Sequence, residues 1–263
     1  PDGYRPLGGE GGEAFTRAWT EALSEAIEDL KKSPFGFSAL IVCPYFANEG
    51  FPQLPPGFLV SAAETVRKAG GLLICDEVQP GFGRTGTHFW GHQYAGITPD
   101  IVTMGKPMGN GHPIGGVVAS TDTLNAFRKA FRYFNTFGGN PVSCAAASAV
   151  LDVLDDEKLM ENARVIGEHA RAGLSKLAEK HDLIGNVRGS GLFFGAELVL
   201  DRVTKEPAAE IATRVINAMR ERGVLMGKLG VQQNATKIRP PMPFSKDNAD
   251  MMLSVLDDVL SGL

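Results

Sequence analysis

Residues 71–79 read GLLICDEVQ and residues 100–116 read DIVTMGKPMGNGHPIGG. In the first, four apolar residues deliver Asp76 and Glu77; in the second, a similar run delivers Gly105 and Lys106. Short apolar runs without strict alternation read as strands buried in a sheet. SALIVCPYF (38–46), stopped by Pro44, and GGVVAS (115–120) read the same way. Between them, residues 14–32 place Phe15, Trp19, Leu23, Ile27 and Leu30 on one helical face, and a second helix spans about 56–69 before Gly70-Gly71. Strands separated in this way by helices predict an α/β fold whose parallel or mixed sheet is covered on both faces. Open sheets of that kind bind ligands at the carboxyl ends of their strands, where Asp76 and Lys106 stand.

Further along, Asn140-Pro141 has the form of a helix start, with Asn as cap and Pro in the first turn. A long helix is expected at about 157–180. From about residue 183 the style changes to short strands in GNVRGSGLFFGAELVL, VLMGKL and ATKIRPPM, with helices at about 207–222 and 246–261. This predicts a smaller α+β domain over 158–263 behind a larger one over 1–157.

Composition narrows the function classes. Of the 263 residues 43% are hydrophobic and 21% charged, and the net charge is −4 with no dominant Lys/Arg cluster, which argues against nucleic acid. No apolar run approaches the ~18–20 residues of a membrane span. Cys43, Cys75 and Cys144 are dispersed and form no CxxC, the usage expected of reduced thiols in a cytoplasmic protein. The opening PDGYRPLGGEGGE has neither an initiator Met nor a signal-peptide pattern, and a fragment of a longer chain is expected.

Taken singly, the charged residues at the strand ends are ambiguous. Asp76 reads equally as an acid capping a nearby loop. The metal-binding acid of a P-loop nucleotidase also follows four apolar residues, but its GxxxxGK[ST] loop is absent. Lys106, thirty residues after Asp76, reads equally as a solvated lysine. What joins them is the chemistry of pyridoxal 5′-phosphate. That cofactor needs a lysine for its aldehyde and for proton transfer, a carboxylate against its ring nitrogen, and backbone N–H groups or a helix start for its phosphate. Lys106 and Asp76 suit the first two needs. NTFGGNP (135–141), with Thr136 and Gly138-Gly139 before a capped helix, suits the third.

DEVQPGFGRTG, PDIVTMGKPMGNGHPIGG, YFNTFGGNPVSCA and NVRGSGLFFGAELV, in this order and spacing, resemble a class III (omega-type) aminotransferase over residues 38–263. The resemblance implies the aspartate-aminotransferase fold (fold type I), here the later part of the large mixed-sheet domain plus the small C-terminal domain. It implies a homodimer with a shared active site, acting on a small amine or amino acid and a keto acid. It further implies that Lys106 carries the Schiff base and that Asp76 pairs with the pyridine nitrogen. By the same carry-over Val78 packs on the ring face, Gln79 approaches the ring hydroxyl, and Thr136 reaches the phosphate across the dimer interface. GKPMGNGHP, HFWGHQ and KIRPPMPFSKDNAD resemble in particular the branch holding ethanolamine-phosphate phospho-lyases and alanine–glyoxylate aminotransferase 2 relatives.

Two departures bear on function. Cys43-Pro44 stands where many members have Glu-Pro, and Lys237, with Arg239 two residues on, stands where that glutamate's arginine partner would be. Lysine binds an anion as a point charge without the bidentate fork, so Lys237 and Arg239 are weighed as substrate contacts against salt bridges on a small-domain strand. The family's N-terminal half, with its phosphate cup, is also missing. The leading expectation is transamination. Its alternatives are phospho-lysis of a phosphorylated amino alcohol or hydroxylysine-like substrate, and a truncated, non-catalytic interaction subunit. His88 and His92 lack a third metal ligand, so no metal is expected, and Arg84 and Arg188 read as structural.

Overall fold

The structure, a computed structural model, describes residues 1–8 and 11–263. The first sheet contains β1 (Ala39–Val42), β2 (Leu72–Asp76), β3 (Ile101–Met104) and β4 (Gly116–Ala119) in the order β1-β2-β3-β4. The first three strands are parallel and β4 runs antiparallel to β3, so the sheet is mixed. Helices α1 (Gly12–Lys32) and α2 (Phe58–Lys68) cover one face. Phe15 stacks on Phe58 at 5.3 Å between ring centroids and Trp19 tilts against the same ring at 4.8 Å, over a core that includes Leu73 and Cys75.

Three expectations change on contact with this sheet. It is covered by the chain on one face only, and the side chain of Ile41 on β1 is 62% exposed. β1 occupies only Ala39–Val42 of the expected 38–46 and ends just ahead of Pro44, the stop expected of it, beyond which Phe46 takes a left-handed backbone (φ 49°). β2 ends at Asp76, where the backbone turns away and the Glu77 amide donates to Thr103 O at 2.9 Å. Two further helices, α3 (Gly91–Tyr94) and α4 (Thr121–Ala130), went unpredicted. α4 carries no buried residue, and its apolar side chains Leu124 and Phe127 are exposed.

Helix α5 (Pro141–Asp156) starts as expected, with Asn140 Oδ1 accepting from the Ser143 amide at 3.0 Å. Next, α6 (Leu159–Lys180) leads to the second sheet, made of β5 (Ile184–Ser190), β6 (Phe193–Asp201), β7 (Glu206–Pro207), β8 (Gly227–Leu229) and β9 (Ala235–Lys237). Its order is β5-β6-β9-β8, with β7 paired to β6 and every pairing antiparallel. Together with α6, α7 (Ala209–Glu221) and α8 (Lys246–Ser261) bury a core around Leu174, Phe194, Leu198, Val215, Met219 and Leu256.

A third cluster joins the two sheets. Tyr45, just beyond β1, stacks on Phe193 of β6 at 5.4 Å and its hydroxyl donates to Phe193 O at 2.7 Å. The loop 80–90 is bound to the same sheet: Leu192 N donates to Arg84 O at 3.1 Å and Ser190 Oγ to Thr85 O at 2.8 Å. Arg188 is buried and pairs with Glu197 inside the second sheet, the structural role expected of it.

The turn at Gly191 sets how closely these parts approach. Its φ is 53°, and a Cβ there would lie 2.4 Å from Arg84 O. Gly191→Ala is therefore expected to destabilise the protein by roughly 2–4 kcal/mol through strain and overlap. A lower urea midpoint would register this, and an unchanged midpoint would contradict the packing described.

Candidate active site

The register of the first sheet brings the acid and the lysine together. Asp76 pairs with Thr103 across the parallel β2–β3 ladder, and Lys106 follows three residues later, so both sit at the carboxyl ends of neighbouring strands. Lys106 opens a short 3-10 turn (Lys106–Gly109) with an exposed side chain and a left-handed backbone, φ 37°. A non-glycine residue held there is strained, and such strain concentrates at working sites. Val78 lies beside this turn, since a Cβ added to Gly105 would stand 3.8 Å from Val78 Cγ2.

Asp76 is half-buried, its Oδ1 accepts from the Val78 amide at 3.0 Å, and it enters no ion pair among the described residues. The loop-capping role is thus real, but it engages one oxygen and leaves the charge available.

Its neighbour Glu77 is fully buried. The carboxylate accepts from Gly91 N and His92 N, each at 2.7 Å, and meets His92 Nδ1 at 2.8 Å. It fastens the far end of the loop 78–90 back onto the end of β2. His92 is thereby committed to Glu77, while His88 Nδ1 lies 3.0 Å from Thr87 Oγ1. The sequence held no signal for the Glu77–His92 pair, since the two are fifteen residues apart with an irregular loop between.

The second sheet brings Lys237 to the same place. Its ammonium donates to Gln79 Oε1 at 3.0 Å and lies 5.8 Å from the Phe193 ring centroid. Gln79 Nε2 in turn donates to Asn48 Oδ1 at 3.0 Å. Burial lowers the pKa of Lys237, and the positive charges of Arg239 and Lys106 lower it further. Arg239 is exposed at the same edge. Arg84 donates to Leu192 O and Pro240 O at 3.2 and 2.9 Å, the bracing role expected of it. Its pKa falls to about 10, first through burial and then through Arg239. Cys43 faces this group from the end of β1; burial pushes its thiol pKa up, with the carboxylates of Asp76 and Glu49 adding to the rise, so it stays neutral near pH 7.

Asp76, Val78, Gln79, Lys106 and Lys237 therefore converge, with Arg239 at the rim. Thr136 does not join them; it lies in a fully exposed stretch, 131–139, where Asn135 Oδ1 accepts from Phe137 N and Gly138 N.

The residues present fit pyridoxal phosphate at its aldehyde and ring ends: an accessible amine, an unpaired carboxylate on the adjacent strand end, and an apolar side chain between them. Comparison with known proteins points the same way. The family description "Aminotransferase class-III" matches residues 9–260. An Arabidopsis thaliana protein named alanine–glyoxylate aminotransferase 2 homolog 2, mitochondrial, is 43% identical over 99% of the chain and 53% of its own length. Ethanolamine-phosphate phospho-lyase homolog 1 of Caenorhabditis elegans is 40% identical over 94% of the chain and 54% of its own length. Among solved structures, a phospholyase from Arthrobacter in complex with phosphoethanolamine superposes with a TM-score of 0.92 at 43% identity, over 96% of this chain and 60% of that one. An (S)-enantioselective omega-transaminase from Thermomicrobium roseum gives 0.86 at 34% identity, over 100% and 59%. The chain spans about half the length of the curated relatives it matches. No helix among the described residues is long and apolar enough to cross a membrane.

Glu77→Ala removes the acceptor of three donors and leaves two backbone amides unmet. The expected loss is roughly 2–4 kcal/mol of folding stability, measured by chemical denaturation. A loss below about 0.5 kcal/mol, the range of an ordinary surface substitution, would show that Glu77 does not fasten this loop.

Proposed function

The chain belongs to the class III aminotransferase family, whose members are fold-type-I enzymes dependent on pyridoxal phosphate, and we propose that it forms the catalytic-lysine half of such an aminotransferase. The observation that carries this reading is Lys106 beside an unpaired Asp76 at adjacent strand ends. The chemistry supplied by the bound cofactor is electron withdrawal from the carbon next to the substrate nitrogen. The Lys106 amine would hold the aldehyde carbon and, once substrate displaces it, would take the proton from the carbon next to the substrate nitrogen and deliver it to the former aldehyde carbon. The Asp76 carboxylate keeps the ring nitrogen protonated by a charge-assisted bond. Val78 packs on the ring face. Gln79, bonded to Asn48 and to Lys237, would approach the ring hydroxyl and so tie cofactor recognition to the substrate side.

The proposal includes a homodimer in which Thr136 serves the partner's phosphate site. Its support is the apolar surface that the chain leaves open around this residue, with Phe131, Phe134, Phe137 and Val142 each more than 60% exposed.

A second reading, phospho-lysis of a phosphorylated amine, rests on charge. Lys237, Arg239 and Lys106 gather at the substrate side, and none is ion-paired with a carboxylate among the described residues. Such a site suits a dianionic group. Incubation of the full-length protein with an amine or amino acid plus a keto acid, and separately with phosphoethanolamine, distinguishes the two. New amino acid formation supports transamination, inorganic phosphate release supports the lyase, and neither product from the loaded protein would contradict both.

Asp76→Asn is expected to lower kcat by about 100-fold or more while the cofactor stays bound, because an uncharged partner no longer favours ring protonation. Near-normal turnover would remove Asp76 from this role. Lys237→Met is expected to raise KM for an anionic substrate by about tenfold with a smaller change in kcat. Wild-type affinity should fall as pH rises through the lowered pKa of Lys237, where its charge is lost, and this step should vanish in the variant. An unaltered KM would place Lys237 outside substrate binding.

A further inference from the structure

One hydrogen-bonded cluster beside the site is not used by the chemistry above. His112 follows Lys106 by six residues in the same loop, and Ser143 lies in the first turn of α5, directly after the NTFGGNP stretch. His112 Nε2 stands 2.7 Å from Ser143 Oγ. Ser143 Oγ already accepts from Asn140 Nδ2 at 2.9 Å, so its own proton is free to point at the ring. Ser143 is buried and His112 half-buried, while Pro141, Val142 and Cys144 around them are exposed.

Lys106 and Asn110, neither of them glycine, have positive φ, at 37° and 45°, a strained backbone that persists where its surroundings hold it. The backbone bonds of this loop, Met108 N to Gly105 O, Asn110 N to Pro107 O and His112 N to Gly109 O, all stay within the loop. Among the described residues, His112 to Ser143 is the one side-chain hydrogen bond made by residues 105–115. The lysine turn also packs on α5, beside a cavity of about 620 Å³ lined by Gly109, Asn110, Ala146 and Val150.

We propose that His112 and Ser143 are positioning residues: their bond clasps the lysine turn to the start of α5 and so fixes Lys106 relative to the backbone that follows Thr136. The inference rests on the reading of Lys106 as the cofactor's lysine. In it, the lysine turn of one site and the stretch that serves the partner's phosphate site keep a fixed relation, because one imidazole spans them.

The test uses the full-length protein loaded with pyridoxal phosphate, as wild type, His112→Leu, Ser143→Ala, the double variant and His112→Gln. Three quantities are read: the cofactor dissociation constant, the pH at which the visible absorbance of the bound cofactor changes, and the Tm of the cofactor-free protein. Each single disruptive variant is expected to weaken cofactor binding about 5- to 20-fold and to move the spectral pH, with the double variant no worse than either single. His112→Gln, whose amide oxygen reaches the place of Nε2, is expected to recover most of both. Wild-type affinity and spectral pH in the single variants would overturn the clasp, as would additive losses. A lower Tm with an unmoved spectral pH would reduce the pair to a structural role and overturn it too. Borohydride labelling of the same wild-type sample separates the premise: label on Lys106 with unaffected variants refutes the clasp alone, whereas label elsewhere refutes the reading beneath it.

Discussion

Glu77 has no contact with water, and a carboxylate so placed must be met by donors or it destabilises the fold by several kcal/mol. Two backbone amides and an imidazole at the start of α3 meet it. Because Glu77 directly follows Asp76, satisfying it sets the direction in which the chain leaves β2, and with that the place of Asp76. The loop between is then held at both ends, and its middle, Arg84 and Thr85, is free to bond the second sheet at Leu192 and Ser190. One buried acid thus relates the acidic strand end, the loop and the second sheet.

Across that junction the site collects positive charge, although the chain as a whole is negative. Arg84 is half-buried, with carbonyls as its only hydrogen-bond acceptors among the described residues, and Lys237 is held by an amide. Carboxylates would neutralise these cations more cheaply, yet at the end of β1 stands Cys43, whose thiol burial keeps neutral. The charge is left for something that arrives. In the function proposed above, an anionic group on the substrate would complete these electrostatics.

Much of this was legible in the sequence where local chemistry decides. The apolar runs ending in Asp76 and Lys106, the Asn140 cap and the helix beginning at Lys246 each carry their cause within a few residues. What was not legible depends on distant partners. Nothing near Gln79 announces Lys237, 158 residues away, and nothing near His112 announces Ser143. The end of β1 was legible at Pro44, whereas the packing of Tyr45 on Phe193, 148 residues away, was not. The expectation of a sheet covered on both faces failed for a related reason. The apolar character of Ile41 was read correctly, but the chain itself supplies helices to one side only.

The account stands on one covalent assignment. Borohydride reduction of the cofactor-loaded protein, followed by peptide mass mapping, records which amine holds the cofactor. The prediction is a pyridoxyl adduct on Lys106 and on no other lysine, lost in Lys106→Ala. Adducts spread over surface lysines, or a single adduct at another residue, would contradict the assignment and with it the roles given to Asp76, Val78 and Gln79.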